Sequence, residues 1–127
     1  MVKPLFFVVD DDPAYARLIQ AHLQSRYSAD VRVFYSGESF LEHMEMKPEV
    51  IVLDYNLGDE SSMNGKDVWI KIKQAALSAK VIMMSAQGEG KIVLELVQMG
   101  LREYVMKDEE ALASLDDIID EYLSIGD

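Results

Sequence analysis

LFFVVDDDP, residues 5–13, carries three structural signals in direct succession. Leu5–Val9 is a continuous apolar run rich in aromatic and β-branched residues, the composition of a strand covered on both faces. Asp10 and Asp11 follow at once, where such a strand would leave the core. Asp12 then offers a carboxylate to free helix amides, and Pro13 suits the first helical position. Strand, acidic turn and helix in this order open a β-α-β unit of an α/β domain.

The pattern recurs along the chain. VIVL (50–53) ends at Asp54, VIMM (81–84) at Ser85 and YVM (104–106) at Lys107. These runs predict strands at Val50–Leu53, Val81–Met84 and Tyr104–Met106. A further strand, Val31–Tyr35, contains Arg32 and suits a sheet edge. Helix-period segments lie between them. The first carries Tyr15, Leu18, Ile19 and His22 on one face. The second starts after Ser36-Gly37 and carries Phe40, Leu41 and Met44. The third starts near Gly65 with Val68, Trp69 and Ile72. The fourth covers about Lys91–Met99, with Gly100 as its stop. The fifth covers about Glu109–Ser124, with Leu112, Leu115, Ile118, Ile119 and Tyr122 at helical spacing.

Five strands alternating with five helices predict a doubly wound parallel sheet with helices on both faces. Right-handed crossovers leave few topologies. A flavodoxin-like (βα)5 arrangement of order 2-1-3-4-5 is the leading one. It sets the first and third strands side by side. Asp10, Asp11 and Asp54 then become neighbours on the edge where Ser85 and Lys107 also end. Ligands bind along that edge in open α/β sheets.

The 127 residues make one ordinary domain, 1–127, with no repeat and no interdomain linker. There is no cysteine, which excludes disulfides and thiolate metal sites and suits a reducing, cytoplasmic compartment. No targeting segment is expected, since the first apolar run is too short for a signal-peptide core. No run is long enough to span a bilayer. A net charge of −11 argues against a generic nucleic-acid surface, because phosphate contacts need Lys and Arg.

Three carboxylates held close together repel one another, and without a counter-charge one would keep a proton at neutral pH. A hard divalent cation relieves that repulsion. Mg²⁺ is the default, because it takes one or two carboxylates together with waters and phosphate oxygens. Lys107 adds a second positive group. Such a set suits phosphoryl transfer, where positioning and charge neutralisation dominate. Asp54, alone at the end of its run, is the candidate nucleophile for an aspartyl-phosphate. Asp10 and Asp11 suit metal binding. Ser85 and Lys107 suit the phosphoryl oxygens.

FFVVDDDP, VIVLDYNL, VIMMSA and REYVMK together resemble the response-regulator receiver domains of two-component signalling, over essentially the full chain. The family's acidic pair falls on Asp10 and Asp11, its phosphoacceptor on Asp54, its Ser/Thr on Ser85 and its lysine on Lys107. Its switch aromatic falls on Tyr104. Lys107 lies 22 residues after Ser85, the family's usual interval. The resemblance implies Mg²⁺, with Mn²⁺ as a substitute, held by Asp11, Asp54 and the Asn56 backbone carbonyl, with Asp10 acting through water. It implies a sensor histidine kinase or phosphotransfer protein as donor, and slow self-catalysed dephosphorylation. It also implies a signal read on the face of the fourth helix, fifth strand and fifth helix, by a second copy or an effector. No effector domain is expected within the chain.

Two departures from the family stand out. The glycine after the phosphoacceptor is Gly65, 11 residues on, so the loop DYNLGDESSMNG is about three residues longer than usual. A mobile or differently shaped rim is expected there. Asp108 follows Lys107, where the family has a proline joined by a cis peptide. A non-proline cis bond costs roughly 2.5–4 kcal/mol, so trans is expected.

Other residues have plainer readings. Asp12 is a helix cap, His22 a satisfied helix residue, His43 solvent-facing, Trp69 packing on the third helix, and the methionines mostly core filler. The acidic stretch of the last helix reads as a solvated face. The fourth helix is apolar over more than one face, through Ile92, Val93, Leu94, Leu96, Val97 and Met99, so part of that surface is expected to meet a partner. Two alternative functions compete with the receiver reading. One is a binding module indifferent to phosphorylation. The other is a phosphohydrolase of the haloacid-dehalogenase type read from Asp10-x-Asp12, which Pro13 and the want of a cap domain oppose.

Overall fold

The computed structural model describes residues 3–58, 63–86 and 88–125. Five strands alternate with five helices: β1 (Leu5–Val9), α1 (Pro13–Tyr27), β2 (Asp30–Phe34), α2 (Gly37–Leu41), β3 (Val50–Asp54), α3 (Gly65–Gln74), β4 (Lys80–Ser85), α4 (Gly90–Gln98), β5 (Tyr104–Met106) and α5 (Ala111–Ile125). The strands form one parallel sheet of order β2-β1-β3-β4-β5. This is the expected order, with β2 at an edge.

Side chains alternate across a strand, so each central strand feeds two cores. Phe6, Val8, Val50, Val52, Ile82 and Met84 point to one face and pack with Ala16, Ile19, Leu23, Leu115 and Ile119 of α1 and α5. Phe7, Val9, Ile51, Leu53 and Met83 point to the other and pack with Phe40, Val68, Trp69, Ile72 and Leu96 of α2, α3 and α4. All five residues of β3 are buried, which is why its sequence shows no polar alternation. Phe7, Phe34 and Phe40 meet edge to face beneath α2.

Helix ends follow local chemistry. Asp12 accepts hydrogen bonds from the Ala14 and Tyr15 amides, and Pro13 opens α1. Asn64 and Asp67 form a reciprocal capping box at the start of α3. Gly100 ends α4 at φ 107°, a conformation that side-chain-bearing residues rarely adopt.

Several expectations need correction. The buried stripe of α1 is Ala16, Ile19 and Leu23, whereas Leu18 is 51% exposed. Small Ala16 lets the helix sit close to the sheet and turns Leu18 outward. Helix α2 ends at Leu41, and Met44 belongs to a separate 3-10 turn, Met44–Met46. Strand β4 runs one residue further than expected, so Ser85 is its last member. Strand β5 buries only Val105, because an edge position leaves Tyr104 and Met106 half open. His43 is half-buried against the Phe34 ring, with Nδ1 at 2.9 Å from the Ser39 carbonyl. The acidic face of α5 is only partly solvated. Asp116 lies 2.8 Å from His22 Nε2, and Asp120 pairs with Arg26 and accepts from the Tyr27 hydroxyl, tying α5 to α1. His22 is thus a partnered helix residue, as expected.

Candidate functional site

The parallel register brings the strand ends together. β1 and β3 are direct neighbours, so the acidic turn after Val9 meets Asp54, the last residue of β3. One carboxylate oxygen from each of Asp10, Asp11 and Asp54 lies within 4.8 Å of the others. Asp10 and Asp54 are buried, while Asp11 is exposed. Asp11, Asp12, Asp54, Asn56, Gly58, Ala86 and Lys107 line a pocket of about 380 Å³.

Each carboxylate is positioned by a different device. Asp10 donates its amide to the Phe34 carbonyl at 3.0 Å, extending the β1–β2 pairing by one residue. Its Oδ1 accepts from the Asp12 amide at 2.9 Å, which fixes the acidic turn. Asp54 is held by the strand itself, and the next residue, Tyr55, donates to the Met84 carbonyl at 2.9 Å. Asp11 is approached by Gly58, which has φ 80° and so close a fit that an added Cβ would overlap Asp11 Oδ2. The Asn56 side-chain oxygen accepts from the Gly58 amide at 3.0 Å, shaping that turn.

Lys107 arrives from β5. Its amide donates to the Ser85 carbonyl at 2.8 Å, which stitches the ends of β4 and β5 together. The ammonium lies 3.0 Å from Asp54 Oδ2 and 3.1 Å from Asp10 Oδ2. No cis peptide occurs among the described residues, so the Lys107–Asp108 bond is trans as expected. Asp108 does in its own way what a turn residue must do. Its side chain accepts from the Glu110 amide at 2.9 Å and its carbonyl from the Ala111 amide, so it leads the chain into α5. The rim expected to be mobile or reshaped, within 55–65, centres on residues 59–62, which lie outside the described residues.

Ser85 and Tyr104 do not line the acidic pocket. They line a neighbouring groove of about 440 Å³ between α4 and β5, with Leu94, Val97 and Met106. Ala86 borders both spaces. Tyr104 is 50% exposed and Leu94 59%, so the apolar surplus of α4 is open along this groove as its sequence suggests. Tyr15, in the first turn of α1, was missed by sequence reasoning. Its ring lies 4.6 Å from the Lys107 ammonium. The two residues are distant in sequence, and no local pattern could have paired them.

Burial, followed by the charge of Asp10, pushes the Asp54 carboxyl up to about 7, and the Lys107 ion pair only partly opposes this. Burial pulls the Lys107 ammonium down, but Asp54 and Asp10 outweigh it and the net shift is upward. Crowded carboxylates in this state suit a hard cation with oxygen ligands. The donor set fits Mg²⁺: three carboxylates, one solvent-open, around a polar pocket.

A pH effect on stability follows. Folded Asp54 holds its proton more tightly than an unfolded aspartate near 3.8. Between roughly pH 4 and 7 the folded state therefore binds more protons, and this contribution to stability falls as pH rises. Without divalent cation, Asp54→Asn is expected to gain in Tm relative to the wild type as pH goes from 5 to 8. Parallel Tm profiles for the two proteins across that range would contradict the raised carboxyl.

Comparison with known proteins gives the family and the fold. Residues 6–119 match the family described as the response regulator receiver domain. Two chemotaxis CheY proteins are similar in sequence. That of Thermotoga maritima is 24% identical over 102 residues, covering 79% of this chain and 82% of the relative. That of Listeria monocytogenes is 27% identical over 111 residues, covering 84% and 89%. Among solved structures, the BeF3-activated DrrB receiver domain superposes with a TM-score of 0.82 at 27% identity, covering 97% of this chain and 99% of that one. The receiver domain of Francisella response regulator 1452 gives 0.83 at 20% identity, covering 98% and 100%, a likeness of fold.

Proposed function

Because the chain belongs to the response regulator receiver domain family, we propose that it is a phosphorylatable signalling switch with Asp54 as its phosphoacceptor. The observation that carries this reading is the cluster of Asp10, Asp11 and Asp54 at the carboxyl edge of the sheet, with Asp10 and Asp54 both paired to the Lys107 ammonium. An ionised Asp54 oxygen attacks phosphorus, and the bond from phosphorus to the donor imidazole nitrogen breaks. The electron pair leaves with the imidazole, which keeps or takes up one proton. A sensor histidine kinase or a phosphotransfer protein supplies the group, and residues 1–127 receive it as a single phosphoacceptor unit in the cytoplasm.

Asp10, Asp11, Asp54 and the backbone carbonyl of Asn56 would hold Mg²⁺ or Mn²⁺, whose chemistry there is to neutralise the crowded negative charge. Lys107 pairs with a phosphoryl oxygen. Ser85, at the seam between pocket and groove, turns its hydroxyl to the new phosphoryl group. The space it leaves draws Tyr104 inward from its exposed position, which alters the α4-β5-α5 face. A second copy or an effector reads that change. Hydrolysis of the aspartyl-phosphate resets the switch. No direct nucleic-acid contact is part of this reading. Among the described residues no helix is long and apolar enough to cross a membrane.

The metal requirement is a direct test. With acetyl phosphate as donor, intact mass should show one added phosphoryl group in Mg²⁺ and almost none in excess chelator. Incorporation at an unchanged rate in chelator would overturn the assignment of the acidic pocket.

A further inference from the structure

We propose that Tyr15 is a positioning residue for phosphoryl transfer: its ring face holds the Lys107 ammonium in register with Asp54 and Asp10. The inference rests on Asp54 being the phosphoacceptor, and extends that site by a residue from α1.

The need for such a device is visible at β5. This strand has three residues and lies at the sheet edge, and Lys107 follows its last member. Lysine carries a compact charge on a flexible four-carbon stem, so its own torsions do not fix the ammonium. Two carboxylates attract it, at 3.0 and 3.1 Å. The Tyr15 ring provides a further boundary, 4.6 Å from Nζ, within the range of a cation–π contact. Only a fifth of the Lys107 side chain remains exposed, which limits competition from water.

Tyr15 is well placed to do this because the acidic turn places it. Asp10 Oδ1 holds the Asp12 amide, and the Asp12 carboxylate in turn caps the Ala14 and Tyr15 amides. Ring, carboxylates and ammonium therefore share one corner of the fold. During transfer, one Asp54 oxygen becomes bonded to phosphorus. Lys107 must then exchange that carboxylate for a phosphoryl oxygen without leaving the pocket. A ring face attracts a cation without dictating its hydrogen-bond partner, so it can hold Lys107 through that exchange.

The test compares Tyr15→Phe and Tyr15→Leu, with Lys107→Gln as the background for a cycle. Phosphorylation by acetyl phosphate at saturating Mg²⁺ should be within about twofold of wild type for Tyr15→Phe and roughly three- to tenfold slower for Tyr15→Leu. In Lys107→Gln protein, adding Tyr15→Leu should slow the reaction no further. The ring also leaves a spectroscopic mark that needs no phosphodonor. The Lys107 ε-methylene protons should be shifted upfield by the ring in wild type and Tyr15→Phe, and should return toward ordinary lysine values in Tyr15→Leu. Equal slowing by Phe and Leu, slowing by Leu in the Lys107→Gln background, or an unshifted ε-methylene would overturn the role of Tyr15. Failure of the wild type to take a phosphoryl group would instead remove the reading of Asp54.

Discussion

Lys107→Met is expected to destabilise the metal-free protein by about 3–5 kcal/mol at pH 8, the range for breaking a buried ion pair by removing one partner. Asp10 and Asp54 are 1% and 4% exposed, and Lys107 is the ammonium that both contact. Methionine keeps the length of the stem and removes the charge. Two buried carboxylates then face each other without a counter-ion, and the cheapest relief is to keep a proton on Asp54, whose carboxyl is already raised to about 7. The loss should therefore be smaller at pH 5, where that proton is available, and should shrink on adding Mg²⁺. A second substitution, Asp54→Asn, should recover part of the lost stability. Denaturant unfolding at the two pH values measures this. A loss of the same size at pH 5 and pH 8 would mean that Lys107 supports the fold through packing and not through charge.

Gly65→Ala should also be damaging, by less and for a different reason. A Cβ at residue 65 would stand 2.6 Å from both the Asp54 carbonyl oxygen and the Tyr55 Cα. Both are backbone atoms, so no rotamer change can relieve the overlap. The contact exists because the Gly65 amide donates to the Tyr55 carbonyl at 2.7 Å, drawing the start of α3 onto the end of β3. Overpacking of this kind costs about 1–3 kcal/mol and occasionally more. For a domain of this size that lowers Tm by on the order of 5–10 °C. The displaced backbone carries Asp54, so phosphorylation should slow as well. Gly90→Ala is the control, since a Cβ there meets nothing within 4 Å and the backbone is not strained. Equal Tm values for the two variants would contradict the close approach of α3 to the backbone at Asp54.

Much of this architecture was legible before any coordinate. The strand order follows from alternating elements and right-handed crossovers, and the order alone brings Asp10, Asp11 and Asp54 together. The parts that were not legible share a physical cause. Periodicity shows that a helix has an apolar side, but not which overlapping stripe the sheet selects, so Leu18 could not be told from Ile19. The expected order already set the last strand at an edge, but its apolar composition concealed the exposure of Tyr104 and Met106. The division between an acidic pocket and a separate groove holding Ser85 and Tyr104 depends on side-chain direction at the ends of β4 and β5. The contact of Tyr15 with Lys107, and the close fits of Gly58 and Gly65, arise between elements far apart in the chain. They depend on distances that only the packed fold defines.

The central claim is that Asp54 takes the phosphoryl group, and site mapping tests it most directly. The protein would be incubated with acetyl phosphate and Mg²⁺, and the product trapped by borohydride reduction and mapped by peptide mass spectrometry. A single modification at residue 54, absent from Asp54→Asn protein, is the predicted result. Modification that persists in Asp54→Asn at the wild-type level, or that maps to another residue in the wild type, would contradict it.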